Sequence, residues 1–217
     1  MQVKQFVFNH FEVNCYVLWD AQTLQCAIID PAAYTAGEQA ELFDYIDSHH
    51  LTPERILLTH THVDHVAGLQ AACQRYRLPV SLHHDGVALL GQAHLAAVPM
   101  GFNLSPFKDI TTECVEPNAR IVIGINEIEC RHVPGHCPGS LCFVLHADKK
   151  VFTGDALFHL SVGRTDLPGG DMSLLIDKIH QELLSLSDDY EVLPGHSIAS
   201  NIGKERKHNF FLKNNDC

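Results

Sequence analysis

The segment Thr59-His60-Thr61-His62-Val63-Asp64-His65 gathers three imidazoles and a carboxylate into a few consecutive positions. Neutral imidazole is the commonest protein ligand for zinc, and carboxylate is its usual companion. The apolar run Ile56-Leu57-Leu58 just before it reads as a buried strand. Loops at the carboxyl ends of strands are where α/β sheets place their sites. On an extended segment His60 and His62, two apart, point the same way. Asp64 and His65 then turn toward a following helix and reach a second position nearby. That layout suits two adjacent metal ions. The chain holds 16 His, so some pairs arise without purpose. His49-His50 and His83-His84 read as solvated surface.

Three more candidate ligands stand at strand ends, each beside a Gly: His136 after Pro134-Gly135, Asp155 after Thr153-Gly154 and His196 after Pro194-Gly195. Gly allows a tight turn and a close approach of backbone to the site. One His after a turn is ordinarily just exposed. Three such events beside the 60–65 cluster supply five His and two Asp, the complement of a two-metal hydrolytic centre whose ions lie about 3.5–4 Å apart.

The elements that must position these groups follow from periodicity and turn residues. Val3 to Phe8, Asn14 to Trp19 and Cys26 to Asp30 read as a β-meander, and Thr35-Ala36-Gly37-Glu38 as a capping box before a helix. Val66 to Tyr76 and Asp85 to Ala97 have helical composition. In the loop from Pro99, the residues Met100, Phe102, Leu104 and Phe107 are either lining for a cleft or, the more economical reading, ordinary core. Strands return at Arg120 to Ile123, Glu127 to Val133, Leu141 to Leu145, Val151-Phe152 and Val192-Leu193. Asp171 caps a helix with Leu174, Leu175, Ile179, Leu183 and Leu184 on one face. Lys204 to Lys213 reads as a closing helix. Two packed sheets covered by helices on both outer faces accommodate this order. No Pro, Gly or Ser-rich linker divides the chain, so one domain over 1–217 is expected.

Hydrophobic content of 46% with 19% charged residues describes a globular chain with a substantial core. A formal charge of -11 argues against nucleic acid, whose phosphates need a basic face. It does not exclude a small anionic substrate, because bound divalent metals invert the local field. The eight Cys, among them Cys15, Cys26, Cys142 and Cys217, form no C-x-x-C pair and several sit in apolar runs. No signal peptide or membrane span is visible, so a cytoplasmic setting is expected.

The His60-Thr61-His62-Val63-Asp64-His65 signature, followed in order by His136, Asp155 and His196, resembles the metallo-β-lactamase superfamily over about residues 3 to 200. The resemblance implies an α/β fold, the four-layer αββα sandwich. It also implies His60, His62 and His136 on one metal, Asp64, His65 and His196 on another, and Asp155 bridging. The cofactor expected is a pair of divalent metal ions, zinc first, with iron or manganese compatible with the all-N/O donor set. Phe152-Thr153-Gly154-Asp155-Ala156-Leu157-Phe158 and Gly163-Arg164-Thr165-Asp166 look like the glyoxalase II branch, the hydroxyacylglutathione hydrolases. His62, in place of Glu, departs from the flavodiiron oxidoreductase pattern. Glyoxalase II proper carries a further carboxyl-terminal helical region with basic glutathione contacts; this chain stops at Cys217 and resembles the short form.

The implied reaction is hydrolysis of a small-molecule thioester such as S-lactoylglutathione by a metal-bridging hydroxide. Asp64 both ligates and orients the nucleophile, as the catalytic residue. Arg164 either contacts a substrate carboxylate or braces its own loop. A thiolate with a pKa near 8.5 needs little help from a general acid to leave. Two rivals stand beside this reading. One is an iron-dependent persulfide dioxygenase of the same fold, with iron on His60, His136 and Asp155. The other is a metal-binding module without turnover, which a site of seven ligand positions disfavours, since a closed structural site needs only four. Neither a membrane nor a nucleic-acid partner is expected, and the oligomeric state is left open.

Overall fold

Two six-stranded sheets form, with inner strands such as Val13–Trp19 and Leu141–Leu145 buried on both faces and edge strands partly exposed. In the computed structural model, which describes residues 1–213, the first sheet uses β1 (Gln2–Phe8), β2 (Val13–Trp19), β3 (Gln25–Ile29), β4 (Thr52–Leu57), β5 (Val80–Leu82) and β6 (Thr112–Cys114) in that spatial order. The β1, β2 and β3 strands run antiparallel, and β3 to β6 run parallel. Three helices connect the parallel strands: α1 (Ala36–Ser48), α2 (Leu69–Tyr76) and α3 (His84–Ala97). The second sheet contains β7 (Arg120–Ile123), β8 (Asn126–His132), β9 (Leu141–Leu145) and β10 (Lys150–Gly154). A small hairpin of β11 (Leu157–Phe158) and β12 (Ser161–Val162) and the helix α4 (Met172–Lys178) follow. The strands β13 (Glu191–Pro194) and β14 (Ser200–Asn201) and the helix α5 (Ile202–His208) complete the order.

Side chains alternate between the faces of a strand, and the core sorts accordingly. Tyr16, Leu18, Ala27, Ile29 and Leu57 of the first sheet meet Ile128, Phe143 and Phe152 of the second in the space between the sheets. Their neighbours Cys15, Val17, Cys26 and Ile28 turn outward onto Leu42 and Ile46 of α1. Ile56, Leu58 and Val80 pack on α2 and α3. On the other side Cys142, Val144, Val151 and Val192 pack on Leu175 of α4 and Ile202 of α5. The layers are therefore helix, sheet, sheet, helix, as the resemblance implies. The capping box at Thr35 and Glu38 is formed, and Asp171 caps α4 by accepting from the Leu174 N–H.

Some local readings change. The segment from Val66 to Gly68 is turn and not helix, because Gly68 donates to the Pro31 carbonyl and has no room for a Cβ against Ala33. The closing helix begins earlier, at Ile202, and ends at His208. Asn209 stops it: its backbone is extended, and its side-chain NH2 donates to Ser161 O and Glu205 Oε2 while its oxygen caps Phe210–Leu212. Phe102 is buried core, with Leu104 and Phe107 packed beside it, while Met100 reaches the cleft described below. His49 and His50 are exposed, as is His84. His83 is not: it is buried and its ring accepts from the Asp85 N–H at the start of α3. Cys217 lies outside the described residues.

Candidate metal centre

The candidate ligands leave four strand ends at one end of the sandwich. His60, His62, Asp64 and His65 lie in the loop after β4, His136 follows β8, Asp155 follows β10 and His196 follows β13. Two glycines make the convergence sterically possible. Gly154, with φ of +49°, turns the chain under Thr59, and a Cβ on Gly195 would collide with Asp155 Oδ1 and with the His65 ring.

All seven residues expected from sequence meet in one buried cluster. The donor atoms of His60, His62 and His136 lie within 4.8 Å of one another, and so do those of Asp64, His65 and His196. Asp155 stands between the two triads. Its Oδ1 is 3.2 Å from His65 Nε2, and its Oδ2 is 3.6 Å from His136 Nε2 and 3.5 Å from His196 Nε2. Asp64 Oδ2 is 3.3 Å from His196 Nε2.

The outer nitrogens fix the tautomers, since a carbonyl or carboxylate can only accept. His136 Nδ1 donates to the Arg164 carbonyl at 2.7 Å, His196 Nδ1 to the Phe11 carbonyl at 2.9 Å, and His65 Nδ1 to Asp30 Oδ2 at 2.9 Å. Thr59 Oγ1 gives its proton to Asp30 Oδ2 at 2.5 Å, so at 3.1 Å it accepts from His60 Nδ1. In the neutral rings all four Nε2 lone pairs therefore aim inward. His65 and His196 bring these nitrogens to 3.3 Å of each other. His60 Nε2 is buried with no hydrogen-bond partner, and Asp155 Oδ1, despite its distance to His65, makes no aligned hydrogen bond. Converging lone pairs and orphaned buried acceptors are costly unless a cation sits among them. The residues present thus fit divalent metals, with outer partners holding each imidazole in its ligating form.

Charge follows the same pattern. Burial, reinforced by His65, His62 and His136, holds His60 well below the ordinary imidazole range, and burial with His136 brings His62 down to about 4. Burial opposes charge on His65 as well, but Asp155, Asp64 and Asp30 outweigh it and hold that imidazole well above its ordinary value. His196 is raised in the same sense by Asp64 and Asp155 against its burial. Burial is likewise overcome at Asp155, where His65 and His196 hold the carboxyl well below the usual range. Asp64 and Asp155 thus make a pocket in which metal ions and protons compete for the His65 and His196 nitrogens.

Asp30 is the functional residue that sequence reasoning passes over. Read only as the end of a strand, it sits at φ +49° and is 1% exposed. It accepts from Thr59 N at 2.7 Å, from Thr59 Oγ1 and from His65 Nδ1, so one carboxylate orients a ring in each triad. The signal available was an acidic residue closing an apolar strand directly before Pro31.

Arg164 is placed differently from the other candidates. Its backbone carbonyl holds His136, whereas its guanidinium is exposed and pairs in a fork with Asp166 at 2.7 and 2.6 Å. Both readings of this residue thus have a physical counterpart: the carbonyl braces the site, and the side chain stands at the rim of a cleft. That cleft has a volume of about 670 Å³ and opens on His62, Asp64, His136, Asp155 and His196, with α3 as one wall. His83, Asp85 and His132 form another His/Asp group among the described residues. The two rings there stack face to face at 3.9 Å with 12° between planes, so their in-plane lone pairs run parallel and do not converge.

A family model described as the metallo-beta-lactamase superfamily matches residues 9–196. The chain is 35% identical over 217 residues to the hydroxyacylglutathione hydrolase GloC of Haemophilus influenzae, covering 98% of each. Among solved structures, TTHA1623 in a di-iron-bound form superposes with a TM-score of 0.86 at 32% identity, covering 96% of this chain and 100% of that one. ETHE1 from Myxococcus xanthus superposes with a TM-score of 0.78 at 26% identity, over 97% of this chain and 84% of the other.

Proposed function

The chain belongs to the metallo-beta-lactamase superfamily, and from that premise we propose that it is a metal-dependent hydrolase that cleaves thioesters in the manner of glyoxalase II, S-lactoylglutathione being the diagnostic substrate. The similarity to a hydroxyacylglutathione hydrolase supports this choice. The observation that carries it is the inward aim of four Nε2 lone pairs, with Asp155 between two triads of donors. In this reading His60, His62 and His136 hold one divalent ion and Asp64, His65 and His196 the other, with Asp155 shared. Zinc is the first expectation, and iron fits the same donors. When bound, such a pair supplies a water acidic enough to react near neutral pH and a Lewis acid for the acyl oxygen.

The chain's own residues do the rest. Hydrolysis adds one water across the C–S bond: oxygen goes to the acyl carbon, the thiol carries away one proton, and the other is released to solvent as the acid ionises to a carboxylate. Asp64 is 8% exposed at its side chain and borders the cleft, where it accepts a proton-side hydrogen bond from the attacking water and orients it. Asp30, through Thr59 and His65, holds the rings in ligating tautomers, and the Arg164 carbonyl does so for His136. A thiol leaves readily, which suits a cleft without a spare general acid. A cytoplasmic setting belongs to the same reading, supported by the cysteines of the described residues, which are all free.

The test is S-lactoylglutathione hydrolysis by metal-loaded protein, followed by thiol release in air and under nitrogen. Equal rates in both atmospheres, abolished in Asp155→Ala together with metal pairing, are expected. Oxygen uptake with glutathione persulfide, without thioester cleavage, would overturn the reading in favour of an oxidoreductase.

A further inference from the structure

Helix α3 is unusual for a surface helix. From Gly86 to its end at Ala97, and on through Val98, it carries no Asp, Glu, Lys or Arg. Yet it is not buried all round: Leu89 is 37%, Leu95 69% and Val98 74% exposed. A helix normally turns charged residues to water, and contiguous exposed apolar surface marks a binding face. The buried face is already used, since Leu90 and Ala97 pack into the core, with Ala93 at the border between that face and the cleft. The remaining face has a definite neighbour. Leu89, Gln92, Ala93 and Ala96 follow the i, i+3, i+4, i+7 pattern of one helical stripe and line the same cleft that opens on the metal ligands.

The opposite wall is also apolar, built from Phe158, Val162, Leu167 and Pro168. Arg164 is the only Arg or Lys on the cleft among the described residues, and Asp166 already holds its guanidinium in a two-point pair. Glutathione carries two carboxylates on a flexible arm. An arm of that kind would find one neutralised cation here, on a chain of formal charge -11. A hydrocarbon arm would find an apolar channel leading directly to the metal ligands.

Building on the thioesterase reading, we propose that the preferred substrates are thioesters with an apolar, uncharged acyl chain, which lies along α3 between Leu89, Ala93 and Ala96 on one side and Phe158, Leu167 and Pro168 on the other. The reaction is unchanged: water adds at the acyl carbon, the C–S bond breaks, and a carboxylate, a thiol and a proton are released.

The test uses the full metal-loaded chain and a series of N-acetylcysteamine thioesters, acetyl, butanoyl, hexanoyl and octanoyl, beside S-lactoylglutathione. The expected result is a kcat/KM that climbs roughly fourfold per methylene, the transfer value of a buried CH2, until the cleft is filled. The longer chains then exceed S-lactoylglutathione, and Leu89→Asp lowers the octanoyl-to-acetyl ratio by about tenfold or more. A flat profile with S-lactoylglutathione preferred would overturn the inference and leave thioester hydrolysis standing. A flat profile with dimerisation that Leu95→Lys abolishes would overturn it too, assigning the face to a second copy of the chain. Failure to cleave any thioester would overturn both this inference and the reading beneath it.

Discussion

Replacing Asp30 by Asn changes one atom and tests how the metal centre is oriented. Asp30 accepts three hydrogen bonds through two oxygens, one from the Thr59 backbone, one from the Thr59 hydroxyl and one from His65 Nδ1. Asn offers one oxygen and an NH2. If the oxygen keeps the Thr59 N–H, the NH2 faces two donors. His65 relieves the clash by moving its proton to Nε2, the nitrogen that points into the cluster 3.2 Å from Asp155. The lone pair required for a metal is then lost until the tautomer is forced back. Loss of an outer partner of a ligating His costs 10–100-fold in metal affinity, or about 1.4–2.7 kcal/mol. That range agrees with the ~1.5–3 kcal/mol of a hydrogen bond to a charged group. Competition with a chelator, using zinc and iron separately, measures the affinity directly. We expect weakened binding by that factor and activity regained at high metal. Unchanged metal affinity in a folded Asp30→Asn protein would refute the tautomer argument.

Metal loading should release protons, because His65 and His196 are held above the ordinary imidazole range and must be neutral to ligate. A raised folded-state pKa stabilises fully below the ordinary imidazole value of about 6.5 and loses that contribution as pH rises through the raised value. The melting temperature of metal-stripped protein should therefore fall on the alkaline side while that of loaded protein does not; parallel profiles would count against the assignment. Gly195→Ala drives a methyl into Asp155 and His65, so thermal melts should show a loss in the 1–3 kcal/mol range of overpacking, and metal analysis a depleted centre. Arg164→Ala should leave metal content intact, since His136 is held by the backbone carbonyl, and should change KM for S-lactoylglutathione no more than for neutral thioesters, since Asp166 already pairs the guanidinium. A drop in bound metal would show that the side chain braces the site.

The cluster was legible because each ligand ends a strand and the strands end together. His60 to His65, Asp155 and His196 each follow an apolar run that stops abruptly, while His136 was marked only by the Pro134-Gly135 turn after an alternating strand, and these local signals survive folding. The sandwich was legible for a related reason: runs such as Leu141 to Leu145 are apolar throughout, as strands buried on both faces must be. Asp30 was not legible, because its role lies in a partner brought near by the parallel pairing of β3 with β4. The burial of His83 was hidden for the same cause, since only the fold lays His132 over it. Phe102, Leu104 and Phe107 could not be told from cleft lining by hydrophobicity, which is equal in both settings; Met100 alone of the four reaches the cleft. Arg164 illustrates the limit of reading side chains, because its contact with the cluster runs through its carbonyl.

The central claim is that seven residues from four strand ends form a two-metal hydrolytic centre. Its most direct test is thioester hydrolysis by metal-stripped protein, under nitrogen, as metal is returned in measured equivalents. Activity should rise to a plateau at two equivalents per chain and need no oxygen. A plateau at one equivalent, or activity that appears only when oxygen is admitted, would contradict the account.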